Sequence, residues 1–200
     1  LLTGTIEKLR KQTQLRLDEG FIGLDSAAMI KQLDNVEIGV GKFDPSLHAM
    51  VLTSTTDDFK AQTAGNLGFN LRTVNEPVLF VVKKNVSILK RLNKWLRTFN
   101  QNGENKIDTS ILVIDDEADN ASVNTNPEDQ NPTATNKQIR DFVDAFKRAS
   151  YVGFTATPYA NIFIDPETSE DMENEDLFPK DYIYALNSPP NYIGARSVFC

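Results

Sequence analysis

The sequence predicts an α/β protein built on a doubly wound, mostly parallel sheet, and three observations carry that expectation. Runs such as Val78–Val82, Ile111–Ile114 and Tyr151–Thr155 are apolar at consecutive positions rather than alternate ones, as in strands buried on both faces. Segments with apolar residues at helical spacing, Val86–Phe99 and Lys137–Arg148, separate them. Acids or hydroxyls then cluster where the apolar runs stop, at the strand ends where open α/β sheets hold their ligands.

Taken in order, Leu1–Thr3 reads as the end of a strand, and Gly4–Thr5 turns into a helix from Ile6 to Asp18. Ile6, Leu9 and Leu15 mark its core face and Gly20 stops it. Ala27–Leu33 reads as a short helix, and Gly39–Lys42 as a loop leading to a strand at Ala49–Thr53. Pro77 introduces the strand Val78–Val82. The helix after it places Ile88, Leu89, Leu92, Trp95, Leu96 and Phe99 on its core side. A polar loop, Asn100–Asn105, precedes the strand that ends in Asp115, and Asn124–Asn136 is a surface loop rich in Asn, Pro and Thr. The helix over Lys137–Arg148 turns Ile139, Phe142, Val143 and Phe146 inward. Tyr151–Thr155 is the next strand, Pro166–Asp176 an acidic loop, and Tyr182–Leu186 a final strand.

A chain of 200 residues, 40% of them hydrophobic, suffices for one well-cored domain, or one domain with an appendage. The single cysteine, Cys200, can form no intrachain disulfide, which points to a reducing, cytoplasmic setting. No run of about 18 apolar residues exists to span a membrane, and no basic-then-apolar leader opens the sequence. The single histidine, His48, is far in sequence from Cys200 and reads as structural or incidental rather than as a zinc ligand. A net charge of −7 argues against a stand-alone nucleic-acid binder driven by bulk electrostatics. The charge is uneven, though. Lys8, Arg10, Lys11 and Arg16 cluster early, Lys83, Lys84, Lys90, Arg91, Lys94 and Arg97 cluster in the middle, and acids concentrate in Asp165–Asp176. One basic face and ordinary solvated helix surfaces both fit that split. Because it opens on Leu1–Leu2–Thr3–Gly4 without a methionine, the chain is expected to be a piece of a longer protein.

The most telling stretch is Ile111–Leu112–Val113–Ile114–Asp115–Asp116–Glu117–Ala118–Asp119, a buried strand that breaks into acids. In P-loop NTPases the first acid after such a strand holds Mg²⁺ and the next polarises the attacking water. A strand running into an Asx-rich turn would look the same in isolation. The second landmark, Gly153–Phe154–Thr155–Ala156–Thr157–Pro158, sets two hydroxyls at the end of the next strand, within reach of acids on its neighbour. Three further patterns are set aside. Gly39–Val40–Gly41–Lys42–Phe43 lacks both the earlier glycine and the Ser or Thr of a phosphate loop, and no such loop occurs anywhere in these residues. Asp141, Asp144 and Lys147 loosely resemble a metal-nuclease core, but on a helix they fall on a charged, solvated face. The Pro166–Asp176 acids lack the ordered spacing of a calcium loop.

On these two landmarks the chain resembles a helicase of superfamily two. Asp116–Asp119 matches its motif two, Thr155–Ala156–Thr157 its motif three, and Leu2–Thr3–Gly4–Thr5 its early nucleic-acid-facing motif. More narrowly it resembles the Z-one domain family of bacterial restriction and phage-defence operons, which carries an endonuclease label. The matching segments are Thr3–Thr13, Val81–Asn85, Ile114–Asp119, Asn136 with Ile139–Arg140, Tyr151–Asn161 and Tyr192–Gly194.

The resemblance implies a RecA-like, P-loop NTPase lobe over residues 1–165 that lacks its phosphate-loop strand and helix. Residues 166–200 would hold the acidic loop and the start of the following segment. It also implies Mg²⁺ and ATP as cofactors, with Asp116 as metal ligand and Glu117 as catalytic base. Asp116, Glu117, Thr155 and Thr157 would line the nucleotide, while Gly4, Thr5 and Lys8 would face nucleic acid. The implied partners are DNA and other restriction or defence subunits, with no membrane. The expected function is therefore a DNA-acting, ATP-hydrolysing, helicase-like motor or switch, inactive as this piece alone. The alternatives are a metal-dependent DNA endonuclease and a non-catalytic interaction module with a helicase fold.

Overall fold

The computed structural model describes residues 1–46, 49–67, 69–100, 103, 105–125, 132–159, 177 and 179–187. β1 (Leu2–Thr3) leads through Gly4 into α1 (Glu7–Leu17), which continues directly into a π-helical turn at Asp18–Ile22. There follow α2 (Ser26–Ile30), a 3-10 turn at Gly39–Lys42, β2 (Met50–Val51), α3 (Ala61–Asn66), β3 (Val78–Leu79) and β4 (Val82–Lys83). Then come α4 (Val86–Asn100), β5 (Ile107–Asp116), α5 (Ala134–Asp144) and β6 (Phe146–Phe154). Side-chain caps open the later helices. Asn85 Oδ1 accepts the Ser87 N–H at 3.0 Å ahead of α4, and Thr133 Oγ1 accepts the Asn136 N–H at 3.4 Å ahead of α5.

Among the described residues, four strands form one parallel sheet in the order β4-β1-β5-β6, and β2 pairs with β3 separately. The connections leave β1 in one direction and return past it in the other. Right-handed crossovers therefore put α1 on one face and α4 and α5 on the opposite one. Side-chain contacts agree. Lys83 of β4 reaches Glu7 of α1 at 2.7 Å. Leu2, Val82 and Val113 instead join Leu89, Leu92 and Leu96 of α4 and Ile139 and Phe142 of α5 in the main core. Asn93 donates to the Gln138 carbonyl at 2.9 Å, tying α4 to α5. On the α1 face the helix covers β1 and β4, while Leu112 of β5 and Phe154 of β6 are 58% and 50% exposed. Among the described residues no helix is long and apolar enough to cross a membrane.

Several local expectations are corrected. Ile6, Leu9 and Leu15 are exposed, and α1 instead buries Arg10 and Gln14, followed by Asp18. The reason is what lies beneath it. Arg10 donates to the Ser54 carbonyl at 2.9 Å, and Gln14 donates to Asp18 at 2.8 Å while accepting the Thr53 hydroxyl at 2.8 Å. Unpaired backbone and hydroxyl groups at this rim would be costly against an apolar face. Gly20 lies inside the π turn, and the stop is Gly23, in the left-handed conformation at φ 79°.

The Val78–Val82 run is not one strand. It leaves β2 after Leu79 and joins β1 at Val82, with the Val81 N–H taken by the Thr53 hydroxyl at 2.8 Å between the two pairings. Phe99 is exposed, and Asn100 turns inward instead to accept the Leu71 N–H at 2.9 Å. The second long helix begins at Ala134 and ends at Asp144, so Phe146–Arg148 belong to β6, where Phe146 pairs with Ile107. Asn136 therefore lies in α5, buried, rather than in a surface loop. Tyr182–Leu186 forms no strand and is exposed. His48, Pro166–Asp176 and Cys200, and with them the expected boundary at residue 166, lie outside the described residues.

Candidate functional site

The carboxyl ends of β4, β1, β5 and β6 come together at one edge of the sheet, and strand alternation sorts the acids there. Leu2 is in register with both Val82 and Asp115, so Asp115 points to the α4–α5 side together with Lys84, two residues beyond Val82. Asp115 is fully buried and lies 3.0 Å from the Lys84 ammonium. Its second oxygen accepts the Ser122 and Tyr151 hydroxyls, each at 2.5 Å. Asp116 points the other way and is exposed, its carboxylate accepting the adjacent Glu117 N–H at 3.1 Å.

The chain then turns sharply. Glu117 has φ 54°, a left-handed conformation that residues with a Cβ seldom adopt. The Asp116 and Glu117 carbonyls both accept from Lys84 Nζ, at 2.8 and 2.5 Å. The Glu117 carboxylate folds over Gly4, where an added Cβ would stand 2.5 Å from Oε2. Ala118 is buried, and its N–H donates to the Phe154 carbonyl at 2.9 Å. Gly153 makes that approach possible, since a Cβ there would meet the Ala118 Cβ at 2.9 Å.

Asp119 closes the arrangement by accepting the Thr155 and Thr157 hydroxyls, each at 2.6 Å. Those two hydrogen bonds hold its carboxyl below the usual carboxylate range. Thr155 Oγ1 also accepts the Thr157 N–H at 2.9 Å, which fixes the strand end itself.

The structure thus brings Asp116, Glu117, Thr155, Thr157 and Gly4 to one edge, while Thr5 and Lys8 lie exposed at the start of α1. Between them Glu7 takes Arg10 at 2.8 Å and Lys83 at 2.7 Å. Partial burial pushes the Glu7 carboxyl up, and these two cations outweigh it, leaving a net lowering. Sequence reasoning missed Lys84, Asp115, Ser122 and Tyr151 as a unit. The available signal was the two-residue alternation, which turns Lys84 and Asp115 to the same face.

Two of the discarded patterns find other uses. A Cβ on Gly39 would stand 1.9 Å from the Glu19 carbonyl oxygen, and one on Gly41 would stand 2.0 Å from that of Gly23, so these glycines pack against the π turn. Asp144 pairs with Lys106 at 2.7 Å, whereas Lys147, on β6 rather than the helix, lies 4.0 Å from Asp108. These groups do not converge. Among the described residues no three His, Cys, Asp or Glu side chains gather into a metal-binding group. Comparison with protein-family models, with curated proteins and with solved structures finds no match for the chain.

Proposed function

We propose that this chain is the acid-bearing part of a RecA-like ATPase lobe, in a DNA-acting, helicase-like motor or switch of a restriction or phage-defence enzyme. The observation that carries the reading is the division of labour among four acids at one sheet edge. Asp115 and Asp119 are tied up by neighbouring side chains, while Asp116 and Glu117 stand exposed beside them. Exposed carboxylates suit Mg²⁺, a hard cation that takes one or two protein oxygens and completes its shell with phosphate and water. The free edge of β6 among the described residues, with Leu112 and Phe154 exposed beside it, leaves room for the phosphate-gripping strand and helix that these residues lack.

In this reading Asp116 would hold the metal, and Glu117 would orient water and accept its proton. Bound Mg²⁺–ATP would supply a γ-phosphoryl group whose charge the metal neutralises. Asp119, through Thr155 and Thr157, would tie the acid turn to the end of β6. Thr5 and Lys8 would meet DNA at the start of α1, two residues before and one residue after Glu7, whose ion pairs bind α1 to β4.

The test is DNA-stimulated ATP hydrolysis by the complete protein carrying Glu117→Gln. Turnover should fall by about 10²-fold or more while nucleotide still binds, the usual size of a lost general base. Unchanged turnover sinks the assignment. Mg²⁺-dependent DNA cleavage that persists in the variant without ATP would assign a nuclease instead. A folded protein that binds no nucleotide would be an interaction module.

A further inference from the structure

We infer that Lys84 is a positioning residue that sets the conformation of the acid turn, an inference that rests on the ATPase reading for its catalytic consequence. The Lys84 and Asp115 side chains are both 0% exposed. This ammonium donates to the Asp116 carbonyl at 2.8 Å and the Glu117 carbonyl at 2.5 Å, and it is ion-paired, without a hydrogen bond, to Asp115 Oδ1 at 3.0 Å. Successive carbonyls of an extended strand point to opposite sides. Those of Asp116 and Glu117 converge on a single Nζ because the chain turns at Glu117, at φ 54°.

Lys84 therefore favours the turned conformation specifically, the one that lays the Glu117 carboxylate over Gly4. It does so from β4, reaching past the end of β1 to β5. A compact, rotatable point charge suits the task, whereas the planar fork of an arginine is built for paired oxygens in one plane. Lys83 turns to the opposite face to pair with Glu7. Consecutive lysines thus tie the end of β4 to α1 on one side and to the acid turn on the other.

The decisive experiment uses the complete protein with the double variant Lys84→Met/Asp115→Asn, which strands no buried charge as Lys84→Met alone would. ATP turnover is expected to fall by about 10²-fold with KM for ATP held within about twofold, the size of effect that a small misplacement of catalytic groups produces. The Ala118 and Asn120 amides, bonded to the Phe154 and Glu117 carbonyls at 2.9 and 2.8 Å, should exchange with solvent faster. A folded variant with unchanged turnover and unchanged exchange at those amides overturns the proposal. Failure of the double variant to fold overturns it too, because it assigns Lys84 to stability alone. A wild-type protein that hydrolyses no ATP would sink the ATPase reading, and amide exchange would then decide on Lys84 by itself.

Discussion

Replacing Arg10 by Met should destabilise this fold far more than replacing Leu9 by Ala, although hydropathy ranks the two the other way. Arg10 is 0% exposed and Leu9 is 37% exposed. The Arg10 guanidinium donates to the Ser54 carbonyl at 2.9 Å and to Glu7 at 2.8 and 3.0 Å, and it lies 3.7 Å from Asp58. Removing one member of a buried ion pair costs about 3–5 kcal/mol, because the partner is left buried without its counter-charge. Glu7 is 38% exposed and rehydrates, so its share is discounted and the stranded Ser54 carbonyl and Asp58 carry most of the loss. That places Arg10→Met near the lower end of the range, about 3 kcal/mol.

Leu9 behaves differently. Truncating a core leucine costs about 2–5 kcal/mol, but a leucine with much of its surface already in water gives up less than about 1 kcal/mol. For a domain of this size each kcal/mol moves Tm by about 2–4 °C. Arg10→Met should then lower Tm by about 6–12 °C and Leu9→Ala by less than about 4 °C. Thermal unfolding followed by circular dichroism, with urea unfolding as a check on cooperativity, measures both. A loss from Leu9→Ala as large as that from Arg10→Met would refute the polar seating of α1.

Two other outcomes follow from the same geometry. Gly153→Ala would set a methyl 2.9 Å from the Ala118 Cβ, and should cost about 1–3 kcal/mol as overpacking, with faster exchange at the Ala118 amide. Unaltered stability and exchange would mean the acid turn and the end of β6 are not in contact in solution. Burial pushes the Asp18 and Asp58 carboxyls above the usual carboxylate range. The fold therefore binds these protons more tightly than the unfolded chain does. Their contribution is complete below the ordinary value of 3.8 and is lost as pH rises through the raised folded values. Glu7 and Asp119, held low in the fold, contribute the opposite slope, so the readout is a difference. Across that acidic window the stability of Asp18→Asn should fall less, or rise more, with pH than that of the wild type in urea unfolding. A slope the variant leaves untouched would remove Asp18 from the explanation.

How much of this was legible in the sequence depended on whether a segment's partners were apolar. The helix over Val86–Asn100 could be read because its stripe packs on apolar strands. The continuous apolar run of β5 marked a strand correctly but overstated its cover, since Leu112 is exposed on the α1 face, beyond the reach of that helix. α1 was legible as a helix, but its buried face was not, because that side meets carbonyls and hydroxyls at the rim of β2 and the β3–β4 junction. There Arg10 and Gln14 are the favoured core residues and leucines are left outside. The Val78–Val82 run misled in another way. Periodicity reports burial and carries no information on the pairing partner, so a switch from β2 to β1 within five apolar residues left no trace.

At the candidate site, motif spelling found the residues that are exposed and missed those that hold them in place. The alternation of a strand explains why. Along Val113–Asp116 and Val82–Lys84, inward positions carry Val113, Asp115, Val82 and Lys84, and outward ones carry Asp116 and Lys83. Two adjacent acids of identical chemistry are thereby given opposite surroundings. Asp115 meets a buried ammonium and two hydroxyls and becomes part of the frame. Asp116 meets solvent at the edge of the sheet and keeps its lone pairs available to a ligand. The same logic reaches Asp119, which the threonines of the next strand hold in place. Of the four acids, the bonded pair on either side fixes the turn, and Asp116 and Glu117 between them are the ones left able to act on something outside the chain.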